Sequence, residues 1–349
     1  MNTAELSPER LAEIVARFPT CRIGILGDFF LDKYLELDTT IEEISLETGL
    51  PAHQVADIRC CPGAAGTVTA NLAALGAGEL HAIGFTGEDG EGYDLRAGLE
   101  RLGCSTVHLQ SLANRFTPTY LKPRNAGDPS LKAEHSRYDT KNRRETGRAV
   151  EEALIASIDG ILGEVDALVV MDQVEENNCG VVTERVRAFL AERAKSAQDT
   201  IFWADSRRRI HDFRHLIVKP NQFEAVRIDH PGQVDRVDLE ELRSAAAHIQ
   251  DRNAAPVVIT RGSQGMVVSH PKWTVVPGVR ITGEVDPTGA GDSVTAGMVL
   301  SLCAGASLAE AGVIGNLVAS ITVRHIGQTG VAKPEELPSA LELWKQQKP

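Results

Sequence analysis

The sequence predicts an α/β fold: a mostly parallel central sheet with helices on both faces, plus a small β-sheet lid. Three observations carry this. Apolar runs recur at residues 22–27 (RIGILG), 80–85, 167–171, 200–204, 216–218 and 257–260. Several are continuous rather than alternating, as strands covered on both faces require. Helical patterns fall between them, at residues 67–75, 95–102, 148–162, 183–197 and 239–251, and strand–helix–strand alternation implies parallel pairing. Two segments break the rhythm. Residues 34–59 have few helix signals, and residues 106–139 are rich in Thr, Pro, Arg and His with short alternating pieces such as 117–122. Both suggest short, partly exposed strands that pair outside the main body. The expected division is a main α/β domain from 1–33, 60–105 and 140–349, and a lid from 34–59 and 106–139.

Composition narrows the function. The chain has 349 residues with 42% hydrophobic and 24% charged residues, ordinary for a globular protein with a substantial core. Its net charge of −12 argues against nucleic acid or an anionic membrane as the main partner, while leaving room for a local phosphate pocket. The first 18 residues carry Glu5, Glu9, Arg10, Glu13 and Arg17. They fit an amphipathic surface helix, not a signal peptide. No apolar run approaches the roughly 20 residues of a membrane span. The six cysteines lack metal or redox spacing, so reduced, mostly buried thiols in a cytoplasmic protein are expected.

The chemistry concentrates in Asp286-Pro287-Thr288-Gly289-Ala290-Gly291-Asp292, between a strand-like run at 278–285 and a helix-like run at 293–304. A helix N-terminus offers free N–H groups and a positive dipole end, and glycines let the backbone approach an anion. Asp292 adds a carboxylate where an anion cradle alone would not want one. That suits a base taking a proton from a hydroxyl that attacks phosphorus. The alternative is a plain helix cap.

Four further clusters follow strands or open helices. Gly27-Asp28-Phe29-Phe30-Leu31-Asp32 ends the first strand, where open parallel sheets bind ligands. PGAAGTVTANLAALGA at 62–77 puts small residues before a helix. Lys219-Pro220-Asn221-Gln222-Phe223-Glu224 places Asn221 and Glu224 on one face of a turn, suited either to magnesium through water or to a capping box. Thr260-Arg261-Gly262-Ser263-Gln264-Gly265 offers phosphate donors or a simple turn. No P-loop, zinc or nucleophile-elbow motif occurs.

In this order the clusters resemble the ribokinase-like, phosphofructokinase-B type sugar kinases, over residues 22–336. The runs at 27–34, 44–55 and 259–266 look most like the heptose-7-phosphate kinase branch, which often carries a fused nucleotidyltransferase domain. The chain ends before such a domain, so the kinase module alone is expected. The resemblance implies that Asp292 is the base, and that the N–H groups of Gly289, Ala290 and Gly291 form an anion hole. Lys219, Asn221 and Glu224 would serve ATP phosphates and Mg2+. Thr260, Gly262, Gly265 and Asn316 would lie along the nucleotide. Asp28, Asp32, Gly63, Ala64 and Thr67 would meet the sugar. Asp286 and Thr288, with backbone near Gly327, would hold a monovalent cation such as K+. The lid would also make a homodimer contact.

One departure stands out. The family's sugar loop usually reads Gly-Gly-x-x-Asn, and here the positions are Gly63, Ala64, Ala65, Gly66 and Thr67. Thr67 lacks an amide that donates and accepts at once, so the substrate need not be a heptose phosphate. Arg124, Arg137 and the trio Arg207, Arg208 and Arg209 could bind a phosphate already on the sugar, or form a solvated basic face. Asp172 could reach the site or only cap. The resulting expectation is an ATP-dependent kinase for a hydroxyl of a sugar or sugar phosphate. A nucleoside kinase of the same fold, or a non-catalytic sugar-binding or regulatory protein, is the alternative.

Overall fold

In the computed structural model, residues 2–128, 133–197, 199–229, 236–327 and 329–347 are described. The lid expectation at 129–132 lies outside them. In chain order the strands are β1 (Asn2–Thr3), β2 (Arg22–Gly27), β3 (Phe29–Ile44), β4 (Pro51–Ala64), β5 (Glu79–Gly87), β6 (Cys104–Leu112), β7 (Thr119–Asn125), β8 (Tyr138–Thr140), β9 (Ala167–Asp172), β10 (Ile201–Ser206), β11 (Ile217–Val218), β12 (Val258–Thr260), β13 (Gly265–Val268) and β14 (Thr274–Pro277). The helices are α1 (Pro8–Val15), α2 (Ala65–Ala74), α3 (Gly90–Arg101), α4 (Arg148–Ile161), α5 (Glu184–Ser196), α6 (Gln222–Ala225), α7 (Leu239–Asn253), α8 (Ala290–Cys303), α9 (Leu308–Thr322) and α10 (Leu337–Gln346).

Six parallel strands form the central sheet in the order β11-β10-β9-β2-β5-β6. A second sheet, β1-β14-β13-β12, continues it through isolated bridges between Val218 and Val257 and between Asn221 and Thr260. The continuous apolar runs are explained by two cores. Along β2 and β9, Ile23, Ile25, Val169 and Met171 face one core, while Leu26, Leu168 and Val170 face the other. Helices α2, α8, α9 and α10 cover the first face, and α4, α5 and α7 cover the second. Among the described residues, no helix is long and apolar enough to cross a membrane.

Helices α8 and α9 pack without slack. A Cβ at Gly297 would lie 2.9 Å from Val318 Cγ2 and 3.1 Å from Gly315 Cα, and one at Gly315 would lie 2.7 Å from Met298 Cγ.

The separate sheet has the order β4-β3-β7-β8. Its boundaries differ from the expected ones. It begins at Phe29 and its first hairpin runs to Ala64, so β3 and β4 are long strands, 16 and 14 residues. Residues 104–112 instead pair with β5 as the edge of the central sheet. The polar stretch 106–111 concealed this because an edge strand is only half covered. The expected strand at 278–285 is irregular backbone following β14.

Candidate active site

The turn before α8 is organised by Asp286. This buried carboxylate accepts from Thr288 N–H at 3.0 Å and from Gly327 N–H at 3.1 Å. Gly289 then takes φ 74° at the N-cap, where a Cβ would meet Thr329 Cγ2 at 2.9 Å and Thr67 Cγ2 at 3.3 Å. Only glycine suits both the conformation and the space. No side chain caps α8, so the plain-cap reading fails and Asp292 is the third residue of the helix. The positive end of the helix is left for a ligand. Of the three N–H groups expected in the cradle, that of Ala290 donates to Pro287 O at 3.1 Å. Gly289 and Gly291 therefore remain as the stronger candidates.

Opposite this turn lies a carboxylate cluster around one lysine. Lys219, buried after β11, places Nζ 2.7 Å from Asp205 Oδ2 at the end of β10. The same Nζ is 3.6 Å from where a Cβ on Gly291 would sit, so it faces the start of α8. Burial works against the charge on Lys219, but Asp205, then Glu224 and Asp292, outweigh it and hold its pKa above the usual value. Asp292 is pushed up to about 7, first by burial and then by Asp205, against the pull of Lys219 and Arg207. Glu224 is also raised to about 7, by burial and Asp205, against Asn221 N–H, Lys219 and Arg207. A carboxyl near neutrality is suited to take up a proton.

Asn221 and Glu224 do form a capping box. Asn221 Oδ1 accepts from the N–H groups of Phe223 and Glu224, and Glu224 Oε2 accepts from Asn221 N–H at 2.7 Å. The two readings coexist, because the box fixes a carboxylate at the mouth of a cavity of about 610 Å³ that Arg207 and Arg227 also line. Among the described residues no cluster forms a complete metal cage. Hard carboxylate oxygens from Asp205 and Glu224 nonetheless fit magnesium, which keeps water and phosphate ligands of its own.

A second cavity, about 310 Å³, extends from Gly291 along α9 and is lined by Thr260, Gly262, Gly265, Val279, Val294 and Asn316 among others. It gathers the four nucleotide-side positions expected from sequence. Asn316 Nδ2 donates to Pro277 O at 3.0 Å and Val276 O at 3.3 Å, so it holds the cavity wall. The remaining lining is largely apolar, a shape suited to a flat ring.

The lid supplies the other side. On β3 and β7 the cross-strand pairs Asp32 with Tyr120, Tyr34 with Lys122, and Glu36 with Arg124 share one face. Lys122 Nζ lies 2.7 Å from Asp32 Oδ1 and 3.3 Å from the Tyr34 hydroxyl. Asp32 Oδ2 faces Gly63, where a Cβ would clash at 2.5 Å. Ala64 keeps φ 53°, ψ −115°, a conformation that favours glycine. Thr67 is buried with its methyl against Gly289.

Several expectations change. Asp28 is buried, and its oxygens accept from the N–H groups of Gln173, Val174 and Val181 at 2.8–3.0 Å. It fixes the loop after β9 and has little capacity left for a sugar. Its pKa still rises to about 6 through burial and Asp172. Arg209 forms a buried two-point pair with Asp172, at 2.6 and 3.0 Å. Arg208 pairs with Asp229 at 2.9 Å. Arg137 is half-exposed, 2.6 Å from Asp139 and stacked 4.2 Å over the Tyr120 ring. Arg124 is buried and donates to backbone carbonyls of Gly327 and Asp128. Of the trio, Arg207 is the one that draws the pKa values of Asp292 and Glu224 down.

A family model described as pfkB family carbohydrate kinase matches residues 38–335. The chain belongs to the pfkB family of carbohydrate kinases. It is 31% identical over 322 residues to a bifunctional protein HldE from Shewanella denitrificans, covering 91% of this chain and 63% of that one. It is 30% identical over 323 residues to the protein of that name from Azorhizobium caulinodans, covering 92% and 64%. The chain thus spans a little under two thirds of these relatives. The fold matches phosphofructokinase-2 from Escherichia coli in complex with potassium, with TM-score 0.68, 19% identity and 93% and 99% coverage. The ribokinase-like α/β fold, with its small separate sheet, is confirmed.

Sequence reasoning missed Asp205 and Lys122. Asp205 ends a parallel strand, where ligand groups are expected, so its position was the available signal. Lys122 is on the same face as Asp32 only once the β3–β7 register is known.

Proposed function

We propose that this carbohydrate kinase transfers the γ-phosphoryl group of ATP to a hydroxyl of a sugar or sugar phosphate. Asp292 acts as base and the open start of α8 as anion cradle. The observation that carries this is the Asp292 carboxyl, near neutrality at the uncapped N-terminus of a buried helix. It stands between the apolar cavity and the Asp32–Gly63 side of the cleft. Adenine would occupy the cavity lined by Thr260, Gly262, Gly265 and Asn316. Lys219, Asn221, Glu224 and Arg207 would meet the phosphates, with magnesium held by Glu224 and Asp205 through water. Asp32, Gly63, Ala64 and Thr67 would receive the sugar, and closure of the β3–β4–β7 lid would exclude water. Positioning and fixed electrostatics supply most of the acceleration in such a site.

The lid hairpin exposes Ile41, Ile44, Leu46, Leu50, Val55 and Ile58. Such an apolar patch suits a second copy of the chain, and sedimentation as a dimer would support that reading. Six free cysteines suit a reducing, cytoplasmic setting.

The deciding experiment is ADP formation across a panel of sugars, sugar phosphates and nucleosides with Mg-ATP. Sugar-dependent ADP supports the proposal. Nucleoside-dependent ADP replaces the acceptor class, and saturable sugar binding without turnover overturns the catalytic reading.

A further inference from the structure

The monovalent cation implied at Asp286 and Thr288 does not fit the groups present. Both Asp286 oxygens accept backbone N–H groups, from Thr288 and Gly327. The carbonyl of Gly327 accepts Arg124 Nη1 at 3.0 Å. A potassium ion sharing that carbonyl would stand beside a guanidinium that is itself buried, and like charges at such range repel strongly.

The guanidinium is only loosely paired with a carboxylate of its own lid. Among the described residues its ion-pair partner is Glu36, which lies 3.7 Å from Arg124 Nε and 3.7 Å from Arg59 Nη2. One negative charge is divided between two arginines. Arg124 Nε has no aligned hydrogen-bond acceptor.

We infer that Arg124 of the lid takes the place of the monovalent cation and steadies the turn before α8. The connection is continuous. Arg124 donates to the Gly327 carbonyl, the Gly327 N–H donates to Asp286, and Asp286 accepts the Thr288 N–H, one residue before Gly289. The Gly327 carbonyl and N–H belong to adjacent peptide units, so the coupling is positional: Arg124 and Asp286 hold Gly327 from its two sides. Arg124 lines neither of the two cavities of the cleft, so its role is that of a positioning residue. It also couples docking of the lid to the shape of the anion cradle.

The test compares potassium, sodium and choline chlorides at constant ionic strength, in turnover and in thermal melting. The activity arm rests on the kinase reading, and the melting arm does not. Wild-type kcat should vary by no more than about two-fold among the salts, with no potassium-specific change in Tm. Arg124→Met should lower kcat by about ten-fold or more, as loss of support for an anion site does. It should also acquire a potassium-specific rise in Tm, because an emptied cation corner binds the folded state. Arg124→Lys, which keeps a charge, should remain insensitive to potassium. Activation of the wild type about ten-fold by potassium, or potassium-specific stabilisation of the wild type, would overturn the inference. So would an Arg124→Met enzyme with wild-type kcat. If no acceptor yields ADP, the kinase reading fails and wild-type melting in the three salts decides this one.

Discussion

The two walls of the cleft treat charge differently. On the α/β wall, Asp205, Glu224 and Asp292 gather around one buried lysine, Lys219. Burial and mutual repulsion push Glu224 and Asp292 up to about 7. On the lid wall two of the cations have close partners of their own, Lys122 in Asp32 at 2.7 Å and Arg137 in Asp139 at 2.6 Å. The first wall carries excess negative charge, which under the proposed function a magnesium-bound polyphosphate or a transferred proton would relieve. The second presents fixed pairs whose hydrogen-bonding pattern can distinguish hydroxyls without large charge changes. The proposed function thereby gives chemistry and recognition to different elements.

That division can be broken experimentally. The largest effect is expected for Asp292→Asn, which should lower kcat by roughly 10²–10⁴-fold, the usual worth of a general base, with little change in nucleotide affinity. Turnover near wild type, measured by coupled ADP assay, would remove the base assignment. Lys122→Met should raise the KM for the acceptor about 10–100-fold, because it leaves Asp32 buried without its cation, while the KM for ATP stays constant. A matching rise in the ATP value would mean that the walls are not separable.

Asp205→Asn sharpens the account of the first wall. Asp292 must be ionised to accept a proton, so the rate should rise with pH through about 7. Removing the negative charge of Asp205 favours ionisation of Asp292 and moves this acid limb to lower pH, by about one unit. Glu224 titrates in the same range, so the limb reports the cluster rather than one residue. A kcat–pH profile with an unmoved limb would contradict the proposed coupling. The smallest effect is expected for Ala64→Gly. It should stabilise the protein by about 0.5–1 kcal/mol in urea unfolding, as relief of the unfavourable φ exceeds the added freedom of the unfolded chain.

Much of the α/β wall was legible because its signals are local. A strand end, a Gly-rich turn and a helix start are adjacent in sequence, so Gly289, Asp292, Thr260 and Gly265 could be located without tertiary information. The central strands were equally clear where both faces are buried, as at Arg22–Gly27 and Ala167–Asp172. The lid was less legible. Lys122 and Asp32 are 90 residues apart and meet only through the β3–β7 register. Asp28 looked like a ligand because it follows a strand, but three distant N–H groups claim it. The arginine trio shows the same limit: Arg209 is buried against Asp172 while its neighbour Arg207 faces the cleft. Charge in a sequence does not disclose its partner.

The seam between α8 and α9 has a consequence for how this chain tolerates change. Gly297 and Gly315 leave no room for even one methyl group, and Gly297 is five residues from Asp292, about 7.5 Å along the helix axis. An alanine there would tilt or lift the helix that presents the carboxyl, and close-packed interiors transmit such strain. A mutational scan scored on growth or turnover would therefore place these two glycines beside the reacting groups, although neither can touch a substrate.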